Sequence, residues 1–281
     1  MVKYVNKNQA VEILAQYREK NVIPNPMEAI ELAKPLIDTK FSSLDSIERY
    51  EILEQLIVAY LDINNIAKAE EYLSIVSKKI NNEFSSRLEK IRGMIEEAKG
   101  NYDGAIKIYN DALKYDEIND TLHKRLIAVN IANGNRDEAI KLLNKYLEAF
   151  VSGDEDAWLQ LADLYLQDNQ CQQAAYCIEE VILTDPRNHL YHLRYADIML
   201  CLGKYQMASK YYCKALDLCK DNVRALYGIL YSNEYLLKAK AEDKSTSDET
   251  IKALIDLAKE ELAKLYKKSP CEEVVKEFLN Q

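Results

Sequence analysis

The chain has 281 residues, 48% of them hydrophobic and 30% charged, with a formal net charge of −9. Seven Gly and five Pro are too few for a strand-rich protein made of tight turns, and the acidic balance argues against a protein that holds nucleic acid by its phosphates. The opening residues 1–8 lack the apolar core of a secretory signal, and no run approaches the roughly 20 apolar residues that span a bilayer, so a soluble protein made in the cytosol is expected. The six cysteines form no Cys-x-x-Cys pair, and reduced thiols are the expectation.

In chain order, residues 7–20 and 26–38 read as a first helix pair within a 1–49 N-terminal segment. Pro26 stands at a helix start, and Pro35 is expected to distort or end the second helix early. A weak repeat begins near Tyr50 and carries Leu53, Leu56, Tyr60, Ala69 and Leu73. The next copies are clearer. Gly100, Gly134 and Gly203 each precede an alanine by five residues, followed by apolar residues at helical spacing. The marker alanines are Ala69, Ala105, Ala139, Ala174 and Ala208, separated by 36, 34, 35 and 34 residues. The copy starting near Glu155 is the fullest, with Trp158, Leu161, Ala162, Tyr165, Ala174, Ile178, Val181 and Pro186.

This period and pattern resemble the tetratricopeptide repeat. About five such repeats fill residues 50–222. The final segment, 223–281, reads as a helix over 223–239, a polar loop over 240–247, a helix opened by the Thr246-x-x-Glu249 capping box and ended by Pro270, and a short amphipathic end with Val274, Val275, Phe278 and Leu279. The expectation is an all-α, right-handed tetratricopeptide-repeat superhelical solenoid in one domain, with C-terminal capping helices.

Chemistry is harder to find. His123, His189 and His192 have no ligand set at zinc-like spacing, and no phosphate-cradling Gly-rich loop or Gly-x-Ser-x-Gly elbow occurs. Glu179-Glu180 and Glu260-Glu261 read as solvated helix faces. No catalytic, cofactor-binding or metal-binding residue is assigned, and a non-enzymatic role in holding other proteins is expected. Tyr227, Tyr231 and Tyr235 stack at i, i+4 and i+8, and serve either as a binding stripe or as packing for the cap.

Two protein-binding readings compete. One is a scaffold inside a larger complex. The other resembles the co-chaperone adaptors, which grip C-terminal peptides of heat-shock chaperones. Their clamp requires a Lys at the fifth and an Asn at the ninth position of one first helix. Those positions hold Glu54 and Val58, Lys90 and Met94, Lys124 and Ala128, Leu159 and Asp163, and Leu193 and Asp197. None has the pair.

The scaffold reading gains from a closer resemblance. It is carried by Tyr146-Leu147-Glu148-Ala149-Phe150, Asp156-Ala157-Trp158, Leu161-Ala162-Asp163-Leu164-Tyr165, Ala174-Ala175-Tyr176-Cys177-Ile178-Glu179-Glu180 and Arg224-Ala225-Leu226-Tyr227-Gly228. Asp185-Pro186-Arg187-Asn188-His189-Leu190-Tyr191 is the most telling, because the generic repeat does not demand its last four residues. The chain resembles the subunit 2 family of the endoplasmic-reticulum membrane protein complex. The resemblance implies a cytosolic, peripheral scaffold that grips cytosolic parts of other subunits in an insertase for transmembrane segments and tail anchors. Repeat register offers the groove residues that would do so: Arg87, Lys90, Lys124, Leu159, Asp163, Leu193, Arg224, Tyr227 and Tyr231.

Overall fold

A computed structural model describes residues 7–19, 25–40, 46–79, 84–149, 153–239 and 248–279. The regular structure among them is entirely α-helical. The helices are α1 (Lys7–Glu19), α2 (Pro26–Lys40), α3 (Ser46–Asp62), α4 (Ile66–Lys79), α5 (Ser86–Ala98), α6 (Tyr102–Leu113), α7 (Asp120–Ala132) and α8 (Arg136–Ala149). Then come α9 (Glu155–Gln167), α10 (Cys171–Thr184), α11 (His189–Cys201), α12 (Tyr205–Leu218), α13 (Val223–Ala239), α14 (Asp248–Leu265) and α15 (Glu272–Leu279). They fall into two compact units, Met1–Leu142 and Leu143–Gln281.

One turn recurs within the repeats. Asn64, Gly100, Gly134, Asn169 and Gly203 all have positive φ, between 57° and 79°. Each lies five residues before a marker alanine. A glycine accepts this left-handed backbone without a Cβ clash, and asparagine is the next most tolerant residue. The turn closes each first helix with two backbone bonds. At Gly100 they run from the Gly100 N–H to Glu97 O and from the Asn101 N–H to Glu96 O, both 2.9 Å. The same pair recurs at Gly203, where Lys204 donates to Met199 O at 2.9 Å. This satisfies the carbonyls that a helix end leaves open. Side-chain caps open the first helices α7, α9 and α13. Asn119 accepts from the Leu122 N–H, Asp154 from Ala157, and Asn222 from Ala225, each at 3.1 Å.

The marker alanines Ala69, Ala105, Ala139, Ala174 and Ala208 are completely buried. They stand where a helix meets its neighbour, and a longer side chain there would push apart axes that pack roughly 8–10 Å from each other. In the first unit α2, α3, α4, α5, α6 and α7 pack in succession, and α3 also touches α5 and α5 touches α7. In the second unit α9 to α14 pack in succession, α11 also touches α13, and α15 lies on α14. Within each unit, first helices therefore contact first helices of the next repeat, as α3 does α5, α5 does α7 and α11 does α13.

Two sequence expectations change, and a third is not reached. Pro35 lies inside α2, which continues to Lys40. Its ring is exposed, while Leu32, Ala33, Leu36 and Ile37 on the other side are buried, and their packing outweighs the roughly 3 kcal/mol a mid-helix proline costs. The helix expected to run to Pro270 closes at Leu265, ahead of a turn with Lys268 at φ 68°. The polar loop over 240–247, with Thr246 of the capping box, lies outside the described residues.

Candidate partner-binding surface

The groove positions fall on first helices, and Arg87, Lys90, Asp163 and Arg224 among them are paired within the chain. Arg87 and Lys90 of α5 both reach Glu54 of α3, with Arg87 Nε at 2.8 Å and Lys90 Nζ at 2.7 Å. Burial alone would raise the Glu54 carboxyl, but its bonds and charge contacts with Lys90 and Arg87 hold it below the usual range. In the second unit Arg194 of α11 pairs with Asp163 of α9, and Arg224 of α13 with Asp197 of α11 at 2.8 Å. Arg125 of α7 stands 3.6 Å from Glu97 of α5. The result is a ladder between consecutive first helices within each unit. Each carboxylate is answered by a cation one repeat later.

Two rungs also hold a tyrosine. Tyr109 of α6 donates to Glu97, and Tyr212 of α12 donates to Asp197 at 2.7 Å. Burial and these carboxylates push both phenols well above their ordinary pKa. The ladder therefore consists of ion pairs and hydrogen bonds made within the chain rather than of free charges awaiting a ligand. A partner carboxylate would have to exchange with one of the chain's own acids.

The remaining groove positions differ. Lys124 is exposed and Leu159 half-buried, while Leu193 lies in the core at 7% exposure. Along the tyrosine stripe of α13, Tyr227 is half-buried, with its ring 6.0 Å from that of Phe278 on α15. Burial raises its phenol, with Tyr266 adding to the shift. Tyr231 is exposed, and so is Tyr235, which stacks on Tyr205 at 5.0 Å. The stripe thus divides: its first member packs against the cap, and the last two face outward.

Register did not point to a cavity of about 300 Å³ in the second unit, lined by Trp158, Leu161, Tyr165, Tyr176, Gln172 and Asn144 among others. Trp158 meets Tyr176 edge-on at 6.0 Å, and Asn144 Nδ2 donates to the Tyr165 hydroxyl at 3.3 Å. Gln172 and Tyr176 on the exposed side of α10 were the available signal, since a solvated helix face does not need an aromatic ring there. His192, one of three histidines, is buried with Nε2 2.9 Å from the Pro186 carbonyl, which ties α11 to the preceding turn. All six cysteines are free, and burial pushes the Cys177 thiol up to about 12. No helix among the described residues is long and apolar enough to cross a membrane.

Comparison with known proteins gives this surface a context. Residues 71–213 match the family model of the EMC2 TPR-like repeat domain. ER membrane protein complex subunit 2-A of Xenopus laevis is 36% identical over 223 residues, which is 78% of this chain and 73% of that protein. The Dictyostelium discoideum protein named ER membrane protein complex subunit 2 is 28% identical over 211 residues, 70% of this chain and 65% of its own length. Among known structures, the C-terminal part of a TPR repeat-containing protein from Cytophaga hutchinsonii superposes with a TM-score of 0.64 at 18% identity, over 94% of this chain and 98% of that one. A thermophilic TPR protein of Thermus thermophilus gives 0.51 at 17% identity, over 69% of this chain and all of that one. Both structures share the fold.

Proposed function

The chain belongs to the subunit 2 family of the ER membrane protein complex, and from that premise we propose that it is a non-catalytic scaffold of such a complex. It works as one array of repeats on the cytosolic face of the endoplasmic reticulum, holding cytosolic domains and tails of other subunits in an insertase for transmembrane segments and tail anchors. The observation that carries this reading is the 36% identity across 78% of the chain. The surface supports it. Its conspicuous carboxylates, Glu54, Asp163 and Asp197, are neutralised by cations of the next repeat, an arrangement that fixes a scaffold rather than activating a reagent.

The exposed end of the tyrosine stripe, Tyr231 and Tyr235, and the Trp158 cavity offer aromatic anchors of the kind that dominate protein interfaces. Of the groove residues read from register, Tyr231 and Leu159 are the ones we propose for direct contact. Arg87, Lys90, Asp163, Arg224 and Tyr227 take part through the pairs and packing that hold the first helices, and Leu193 through the core.

The test is purification of the tagged full-length chain from solubilised cells, followed by mass spectrometry. Recovery of ER membrane subunits in fixed proportion is the expected result. Recovery of heat-shock chaperones without any membrane subunit would overturn the reading in favour of an adaptor. Tyr231→Ala with Tyr235→Ala should lower that recovery while helicity is unchanged.

A further inference from the structure

The outward face of α12 is unlike those of the other second helices. Met207, Lys210, Lys214 and Leu218 follow one another at three and four residues, and so lie along a single stripe. Met207 and Leu218 are 42% and 37% exposed, and both lysines are exposed. The buried residues of the helix, Ala208, Ser209, Tyr212 and Ala215, occupy the opposite side.

Several outward lysines elsewhere pair with an acid one turn away: Lys68 with Glu71, Lys114 with Asp111, Lys141 with Glu138, Lys264 with Glu261. On α12 no acid stands three or four residues from Lys210, while Asp217 stands three from Lys214. The neighbour of Lys210 at i+4 is Lys214, a like-charge spacing that weakens a helix. Lys204 and Lys220 bracket the element. From Arg187 to Arg224 seven cations stand against three carboxylates, in a chain whose net charge is −9. One of those three, Asp197, is already held by Arg224 and Tyr212.

We infer that this stripe docks an acidic amphipathic helix of another subunit, which presents two carboxylates four residues apart between apolar residues. The inference rests on the subunit reading above. The charge sets the sign of the partner. The apolar ends of the stripe, roughly 16 Å apart along the axis, set its length at about three helical turns. A lipid surface fits less well. It asks for a broad basic face, and here the positive stripe is one helix wide, while α10 exposes Glu179 and α14 exposes Asp256 and Glu260.

The experiment uses the full-length chain in its complex, with a photo-reactive amino acid replacing Met207 and the cross-linked peptide sequenced by mass spectrometry. The expected adduct is one peptide of another subunit with acidic residues at i and i+4. Its yield should fall roughly ten-fold with Lys210→Glu and Lys214→Glu together, and return when the two facing carboxylates are changed to Lys. Circular dichroism of the double variant should match the parent. An adduct to lipid, a peptide without acids, a yield indifferent to the double reversal, or no adduct while the chain still co-purifies with its complex would each overturn the inference and leave the subunit reading standing. Absence of ER membrane subunits from the purified parent chain would overturn both.

Discussion

Tyr109 and Tyr212 hold the same place in their helices, seven residues past the first residue of α6 and of α12, yet they tie the molecule together differently. Around Tyr109, the room for the ring is made by Gly93 of α5, where an added Cβ would come within 2.2 Å of Cε1. The accepting carboxylate, Glu97, is on α5 as well. Tyr109 therefore locks its own helix pair, and Arg125 of the following repeat closes the junction loosely at 3.6 Å. Around Tyr212, the room is made by Gly228 of α13, where a Cβ would come within 2.4 Å of the ring, while the acceptor Asp197 lies on α11. Tyr212 thus spans two repeats, and Arg224 closes this junction at 2.8 Å. The same residue at the same position becomes an internal lock or an inter-repeat bolt according to which neighbouring helix carries the glycine.

The sharpest way to break this contrast is at the glycines. Gly93→Ala and Gly228→Ala each gain helix propensity of about 1 kcal/mol but drive a methyl group into a buried ring, for an expected net loss of about 2 kcal/mol. Hydrogen exchange should then show weakened protection in α5 and α6 for the first and in α12 and α13 for the second. Identical protection patterns would end the distinction.

Removing only the hydroxyls is gentler. Tyr109→Phe and Tyr212→Phe should each cost about 1–2 kcal/mol in denaturant unfolding, because a carboxylate loses its phenol donor. Both phenols have raised pKa values in the folded chain, so the unfolded chain ionises first as pH rises past about 10. Their contribution is complete below that value and declines above it. Each Phe variant should therefore lose less stability than the parent between pH 9 and 11 in thermal melts. An equal loss would place the two hydroxyls outside the alkaline response.

The smallest effect is expected at the exposed cations. Arg125→Met and Arg224→Met should each change stability by less than about 1 kcal/mol, with Arg224 the larger because its pair is shorter. Double-mutant cycles with Glu97→Gln and Asp197→Asn measure this directly, and a larger coupling at Arg125 would reverse the ranking.

The repeat itself was legible because its constraints are local and periodic. Five alanines at steps of 34 to 36 residues marked the helix contacts, and the glycine five residues before three of them marked the left-handed turn. Asn64 and Asn169 supply the same turn without the glycine, and they could have been found from asparagine's tolerance of positive φ. The surface was less legible. Register placed Arg87, Lys90 and Arg224 on first helices, but pairing with Glu54 and Asp197 depends on the contact between successive first helices, about a repeat apart in sequence. Periodicity says which face a residue takes, and says nothing about what the next helix brings to it. Pro35 shows the same boundary from the other side: local preference argued for a break, and the buried side chains around it decided otherwise.

Trp158 is the single tryptophan among twenty tyrosines, and its edge-on partner Tyr176 lies in the same repeat. Emission excited in the indole band therefore reads out one helix pair, α9 with α10, while far-ultraviolet dichroism averages over all of them. In an array stabilised by nearest neighbours, a gap between the two denaturation midpoints measures how far that pair melts out of step with the rest. The fluorescence of this one residue turns the chain into its own local thermometer, with no label attached.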